Sequence, residues 1–373
     1  MSRKLKTDPA GSGEVQPPFF QKQLAGEEGP SLETASRLCE LAWEFFALQP
    51  WRLLADRDLI LLEDPQSGDM CFCSVMGALG EVFSLHIYIG AESYRFYRKL
   101  SDGIPISAGE FFASQHALSI ELISASTATP PDRQLLKAVG YVLQKRVPIP
   151  QFRAFRPGYL PWYITETEAI LLIHCLQAVL AFCRTLTDDD ADKYWGKEDV
   201  YPLLSPLGNE VSRRDYAVKM VKAYDPPPAP LQMPSLDAAG IKDVLGRNYA
   251  TGGVFEVDHF VLRAAVGAKN ERKACTRVGL VTDAASGIVF PPELAAPEAS
   301  VGDILVRAIL TAAKTAQTVP QEVRVKDKNY RALLEPLAAS LGFSLRLAKS
   351  IPSLELAKNS LLEMMGEPAP FVG

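Results

Sequence analysis

The sequence predicts two mixed α/β units in one chain: an α+β N-terminal domain, then an α/β C-terminal domain built on a mixed sheet in the order β-β-β-α-β-α-β-α. Three observations carry this. The segment "YDPPPAPLQMPS", residues 224–235, has five prolines, a composition that favours extended polyproline geometry and a semi-rigid spacer. After it, apolar residues alternate between period two and helical spacing in regular succession. Before it, a helix, several strands, more helices and a final strand follow each other, which is α+β order.

From the N-terminus, residues 1–30 are rich in Gly, Pro, Glu and Lys and lack periodicity, so they read as a disordered tail. The first domain spans 31–223. In "SLETASRLCELAWEFFAL", Leu38, Leu41, Ala42, Phe45 and Phe46 recur at helical spacing behind the N-capping Ser31. "RDLILLEDPQSGDMCFCSVMG" reads as a hairpin turning on Asp-Pro-Gln-Ser-Gly. "VFSLHIYIG" and "ALSIELISA" read as strands flanking the short helix "AESYRFYRKL". A long helix runs from Thr165 to Leu186, with Thr165 and Glu168 spaced as a capping box, and "DYAVKMVKA" closes the domain as a strand.

The second domain spans 236–373, after the linker at 224–235. Its strand candidates are "GVFEVDHFVLRAAV", "CTRVGLVTDA" and "SGIVFPPEL", the last two joined by a turn over Asp283–Gly287. The helix "GDILVRAILTAAKTAQ" puts Ile304, Leu305, Ala308, Ile309 and Ala312 on one face. Then come the strand "EVRVKD", the helix "YRALLEPLAASLG" stopped by Gly342, the strand "FSLRLAK" and a last helix from about Ser353 to Met365.

Charge narrows the function. The formal net charge is -5 over 373 residues, and 47% of residues are hydrophobic. That argues against a chain whose main task is coating nucleic acid or anionic membrane. The acidic excess sits in residues 31–235, whereas residues 236–373 hold 16 Lys+Arg against 15 Asp+Glu. The six cysteines follow no framework spacing, which suits reduced thiols in a cytoplasmic protein. No apolar h-region follows the N-terminal basic residues and no run approaches 18 apolar residues, so no membrane association is expected.

The order of elements after residue 250 resembles the ribonuclease H-like fold shared by ribonuclease H, retroviral integrases and cut-and-paste transposases. "FEVDHFVL", "VGLVTDAASGIVF" and "PQEVRVKD" look like the first strand, the strand 2–3 hairpin and the fourth strand of transposase catalytic cores. The resemblance covers roughly residues 250–366. It implies two Mg²⁺ ions held by carboxylates on the first strand, at the end of the fourth and on a later helix, which by position are Asp258, Asp327 and Glu355. Such a pair of ions stabilises both the attacking water and the leaving oxygen of a phosphodiester. Period-two alternation puts Glu256, Asp258 and Phe260 on one strand face. Each carboxylate also has an ordinary use: Glu355 in the first turn of its helix, Asp327 as a turn residue, Asp258 facing solvent. The whole chain is similar, in addition, to an uncharacterised bacterial family of two-domain proteins through "SVMGALGEVFSLHIYIGAE" and "RPGYLPWYIT"; that likeness implies architecture only.

Two further places stand out. In "QFRAFRPGYLPWYITETE", residues 151–168, Arg153 and Arg156 interleave with Tyr159, Trp162 and Tyr163 while two prolines keep the chain extended. The segment suits a protein-binding surface, a nucleic-acid contact, or an irregular loop pinned to the core. Cys71 and Cys73 with His86 form at most half of a zinc signature. The favoured reading is an intracellular binding or scaffold protein whose ribonuclease H-like domain has lost catalysis and needs no cofactor, with a protein partner and, less strongly, nucleic acid. The alternatives are a Mg²⁺-dependent nuclease or strand-transfer enzyme, and a small-molecule-binding regulator.

Overall fold

The computed structural model describes residues 27–106, 108–144, 146–207, 215–223, 231–268 and 271–364. Most of the expected tail, and residues 224–230 of the proline-rich linker, lie outside the described residues.

The first half opens with α1 (Leu32–Leu48), which starts where the Ser31 side chain accepts the Thr34 amide hydrogen. β1 (Ile60–Glu63), β2 (Met70–Met76) and β3 (Ser84–Ile89) form the expected antiparallel succession. Next come α2 (Gly90–Ser101), α3 (Ala108–Ser114), β4 (Ala117–Ile123), α4 (Pro130–Ala138) and β5 (Ile149–Phe155). α5 (Glu166–Cys183) carries the capping box between Thr165 and Glu168, and α6 (Ala191–Trp195), β6 (Val200–Leu207) and β7 (Asp215–Lys222) complete the half. The strands make one sheet in the order β5-β4-β3-β2-β1-β6-β7, antiparallel except where β6 lies parallel to β1.

Both faces of this sheet are covered. Ile60, Leu62, Cys71, Cys73, Leu85 and Ile87 face the core made with α1 and α5, whereas Leu61, Phe72 and Tyr88 face Tyr94 and Tyr97 of α2. Double coverage explains why "LILL" and "CFCSV" read as continuous apolar runs instead of alternating ones. α5 corrects one expectation: by length and composition it is apolar enough to cross a membrane, but ten of its residues are buried, nine of them in this core. Residues 151–155, the start of the segment for which an irregular loop is one reading, belong to the edge strand β5, and β6 was not foreseen. Pro150 in the first and Pro202 and Pro206 in the second mask the strand pattern.

The second half contains α7 (Ala238–Gly246), β8 (Ala250–Thr251), β9 (Val254–Val266), β10 (Ala274–Asp283), β11 (Glu293–Ala295) and α8 (Val301–Ala316). β12 (Thr318–Val319), β13 (Glu322–Val325), α9 (Lys328–Leu341), β14 (Ser344–Leu347) and α10 (Pro352–Met364) follow. Five strands make a mixed sheet in the order β11-β10-β9-β13-β14, with β13 parallel to both β9 and β14. β8 and β12 form a separate parallel pair. The third strand is shorter than expected over 286–294: only Glu293–Ala295 joins the ladder, apart from an isolated bridge at Val289. Pro291 and Pro292 lie between these points and have no N–H to give. α8 and α9 cover one face through Phe255, Val257 and Val281, and α10 covers the other through Phe260, Leu262 and Leu280.

The halves meet along the far end of the β9–β10 hairpin. Phe112 of α3 packs with Val261 and Cys275. Within the first half the Gly158 amide donates to the Phe112 carbonyl at 2.7 Å; between the halves the Cys275 amide donates to the Gly158 carbonyl at 2.8 Å and the Leu160 amide to the Lys273 carbonyl at 2.8 Å. The chain after β5 therefore pairs with the start of β10 at one isolated bridge, Tyr159 with Ala274.

Candidate functional site at the end of β13

β13 stops after Val325, and β9 continues beyond it. The parallel register pairs Arg324 with Glu256, so the chain reaches Lys326 and Asp327 level with the stretch of β9 that carries Asp258. The C-terminal ends of parallel strands, beside a helix N-terminus, are where open α/β sheets commonly place ligands. Two of the three carboxylates named above lie at this point, and Glu355 lies in the first turn of α10.

Each has a partner within the chain. Lys358 of α10 puts its Nζ 3.2 Å from Asp258 Oδ2, while the same ammonium lies 4.9 Å from the centre of the Phe260 ring. Lys326 Nζ sits 2.6 Å from Glu355 Oε1. Asp327 is the N-cap of α9, accepting the Asn329 amide hydrogen at 2.7 Å. Glu256, only 1% exposed, accepts the Leu354 amide hydrogen at 3.0 Å and so satisfies one orphan donor of α10. Alternation along β9 puts Glu256 and Asp258 on the α10 side, but the structure uses Glu256 as a buried cap.

The other face of β9 has a different character. His259 lies edge-on to Tyr330 of α9, and its buried Nε2 has no protein partner among the described residues. Burial, then Arg277 and Lys358, push His259 down to about 4, so it is neutral at pH 7. Burial, followed by the Asp258 and Asp327 carboxylates, pushes the Tyr330 hydroxyl well above its usual range.

A pair of Mg²⁺ ions needs open oxygen ligands. Here ammonium groups and helix N-termini hold the oxygens, and among the described residues no group of three or more His, Cys, Asp or Glu is arranged to hold a metal ion. The donor set does not fit the two-ion site that the resemblance implies. Lys326 and Lys358 were not singled out from sequence, although Lys326 adjoins Asp327 and Lys358 stands one helical turn after Glu355.

The aromatic–arginine segment is committed inside the molecule. Arg153 makes a two-pronged pair with Asp132, at 2.7 and 2.8 Å, and lies over the Tyr163 ring. Tyr163 donates its hydroxyl to Thr129 at 2.9 Å. Arg156 pairs with Glu27 and with Glu168, Tyr159 bridges to Ala274 and reaches Glu298 through its hydroxyl, and the Trp162 backbone pairs with Ala154. Arg272 comes from the second half to complete the cluster. Its side chain is 6% exposed and it donates to Glu27 at 3.1 Å, with Glu168 at 3.9 Å. The segment joins the two halves. Cys71 and Cys73 both reach Cys175 in the core, with His86 on the opposite sheet face, so these three residues named in the zinc reading do not converge.

Fold and site together define a two-domain mixed α/β protein whose most chemically suggestive cleft is ion-paired and capped. Residues 36–201 match a domain of unknown function (DUF7309), and residues 244–362 match a second (DUF6930). This combination fits an uncharacterised two-domain family, and the matches fall on either side of the proline-rich segment. No curated protein and no solved structure matches the chain.

Proposed function

We propose that the protein is an intracellular binding or scaffold protein whose C-terminal half is a ribonuclease H-like domain without metal-dependent catalysis. Strand order supports the fold reading: with only the five strands of this sheet counted along the chain, β11-β10-β9-β13-β14 is third-second-first-fourth-fifth, with the last two parallel to the first. The observation that carries the functional reading is the occupation of the carboxylates by Lys358 and Lys326. Six free cysteines, all buried, support a reducing compartment. A protein is the proposed partner, because the near-neutral second half offers a phosphate backbone little counterion release.

The test is a nuclease assay on single- and double-stranded DNA and on RNA with Mg²⁺ or Mn²⁺, beside Asp258→Asn. The expected result is no cleavage by either protein. Cleavage by the natural chain that is lost in Asp258→Asn would overturn the reading and install Asp258 and Asp327 as metal ligands.

A further inference from the structure

A second cleft belongs to the other half. It encloses about 510 Å³ where the loop before β1, the C-terminal end of α2 and the loop before β6 converge. That volume lies within the range of small-molecule sites. Its lining combines aromatic surface from Tyr97, Trp195 and Tyr201 with charges of both signs.

The wall is built, and part of its charge is spent on building it. Asp199 has a left-handed backbone, φ 58°, a conformation that a non-glycine residue keeps only when its surroundings enforce it. Here the Asp199 carboxylate pairs with Arg98 and lies 3.4 Å from the Tyr94 hydroxyl, and its carbonyl accepts the Ala223 amide hydrogen at 2.7 Å. Tyr97 donates to the Asp56 carbonyl at 3.3 Å, and Trp195 donates to the Leu59 carbonyl at 3.0 Å. These contacts fix both rings without using the cleft's own charges.

What remains uncommitted has two poles. Arg57 and Lys197, from two different loops, make no ion pair within 4 Å among the described residues and offer two cations, each next in sequence to a lining carboxylate, Asp58 and Glu198. Asp58, half-buried, spends one oxygen on the Ala55 amide hydrogen at 2.7 Å and keeps the other. Asp102 is 4.0 Å from Arg98, a loose contact, and it stands at the C-cap of α2, where the helix dipole favours a positive charge. We propose that this cleft binds a small zwitterion of the amino-acid or dipeptide class. Its carboxylate pairs with Arg57 and Lys197, its ammonium sits between Asp58 and Asp102 at the end of α2, and its side chain rests on Trp195 and Tyr201. A purely anionic ligand would face three carboxylates, Asp58, Asp102 and Glu198, and a purely cationic one would face Arg57 and Lys197.

Calorimetry on the full chain tests this with each standard α-amino acid and with glycyl-phenylalanine. The best zwitterion is then compared with its decarboxylated and its deaminated analogues. Expected is a dissociation constant of about 1 mM or tighter for at least one zwitterion, with both analogues weakened about tenfold or more, as loss of one charge-assisted contact implies. The dipeptide arm separates a free amino acid from a peptide end as the source. Arg57→Ala, at an exposed position, and Asp58→Asn, which keeps an acceptor for Ala55, should each weaken binding about tenfold. No binding by any zwitterion, an analogue that binds as tightly as its parent, or unchanged affinity in both variants overturns the proposal.

Discussion

Gly109 offers a test of the contact between the halves in which two effects have opposite signs. It lies in the first turns of α3, where replacing glycine by alanine ordinarily stabilises by about 0.5–1 kcal/mol through helix propensity and chain entropy. Against this, a Cβ at Gly109 would fall 2.1 Å from the Val261 carbonyl oxygen and 3.0 Å from its carbon. Both atoms belong to the backbone of β9, which is paired with β10 at that level through Val261 and Arg277, so neither can swing away as a side chain would. Relief requires α3 to withdraw by about 1 Å, which opens the Phe112–Val261–Cys275 cluster and forfeits part of its dispersion contact. Overpacking of this kind costs about 1–3 kcal/mol. The steric effect wins, and Gly109→Ala should lose a net 1–2 kcal/mol, about 2–8 °C in Tm for units of this size. Differential scanning calorimetry reads it, and limited proteolysis should show faster cutting between the halves. A Tm that stays or rises would refute the seating of α3 on β9.

Three other outcomes follow from the same geometry. Arg272→Met should destabilise by about 1–3 kcal/mol in urea unfolding, because it leaves the half-buried Glu27 and Glu168 with Arg156 alone; a loss below about 0.5 kcal/mol would mean the cluster is solvated. Asp132→Asn removes the partner of a guanidinium that is 15% exposed and should cost about 3 kcal/mol at pH 7. Burial raises the Asp132 pKa, but Arg153 and Thr129 more than reverse it; the stability it contributes is therefore present above the ordinary carboxylate range and lost as pH falls below it, and the variant should lose that acid sensitivity. His259, pushed down to about 4, stays neutral in the fold while the unfolded chain takes up a proton. Stability should fall by up to about 1.4 kcal/mol per pH unit as pH drops from about 6.5 toward about 4, and His259→Phe should flatten that limb in pH-dependent melts.

How far the sequence could be read depended on the range of the interactions. The second half alternates its periods, so β9, β10, α8, β13, α9 and β14 follow from local pattern, and Gly342 at φ 80° marks the end of α9 as its position suggested. β5 and β6 escaped because strands interrupted by proline lose both the apolar rhythm and a donor. The aromatic–arginine segment was legible as unusual, but its role was not. Arg272 meets Glu27 across 245 residues of sequence, and no local signal links them. Similarly, Asp258 and Asp327 were visible as carboxylates on neighbouring strands, whereas the lysines that hold Asp258 and Glu355 reach in from 100 and 29 residues away.

Those lysines bear on the proposed loss of catalysis through charge balance. Two divalent ions would bring four positive charges to Asp258, Asp327 and Glu355. Lys326 and Lys358 bring two, and the N-termini of α9 and α10 supply partial positive charge to Asp327 and Glu256. Every carboxylate of the cleft thus has compensation built from the chain itself. A cation entering the cleft must displace an ammonium that is covalently tethered, and so present at high effective concentration. Lys358 would have to leave the Phe260 ring as well as Asp258. If the ammonium groups are what exclude the metal, Lys326→Ala with Lys358→Ala should let Mn²⁺ bind with measurable heat where the natural chain gives none. An unchanged, silent titration in the double variant would mean that Asp327 and Glu256, held as helix caps, are the real obstacle.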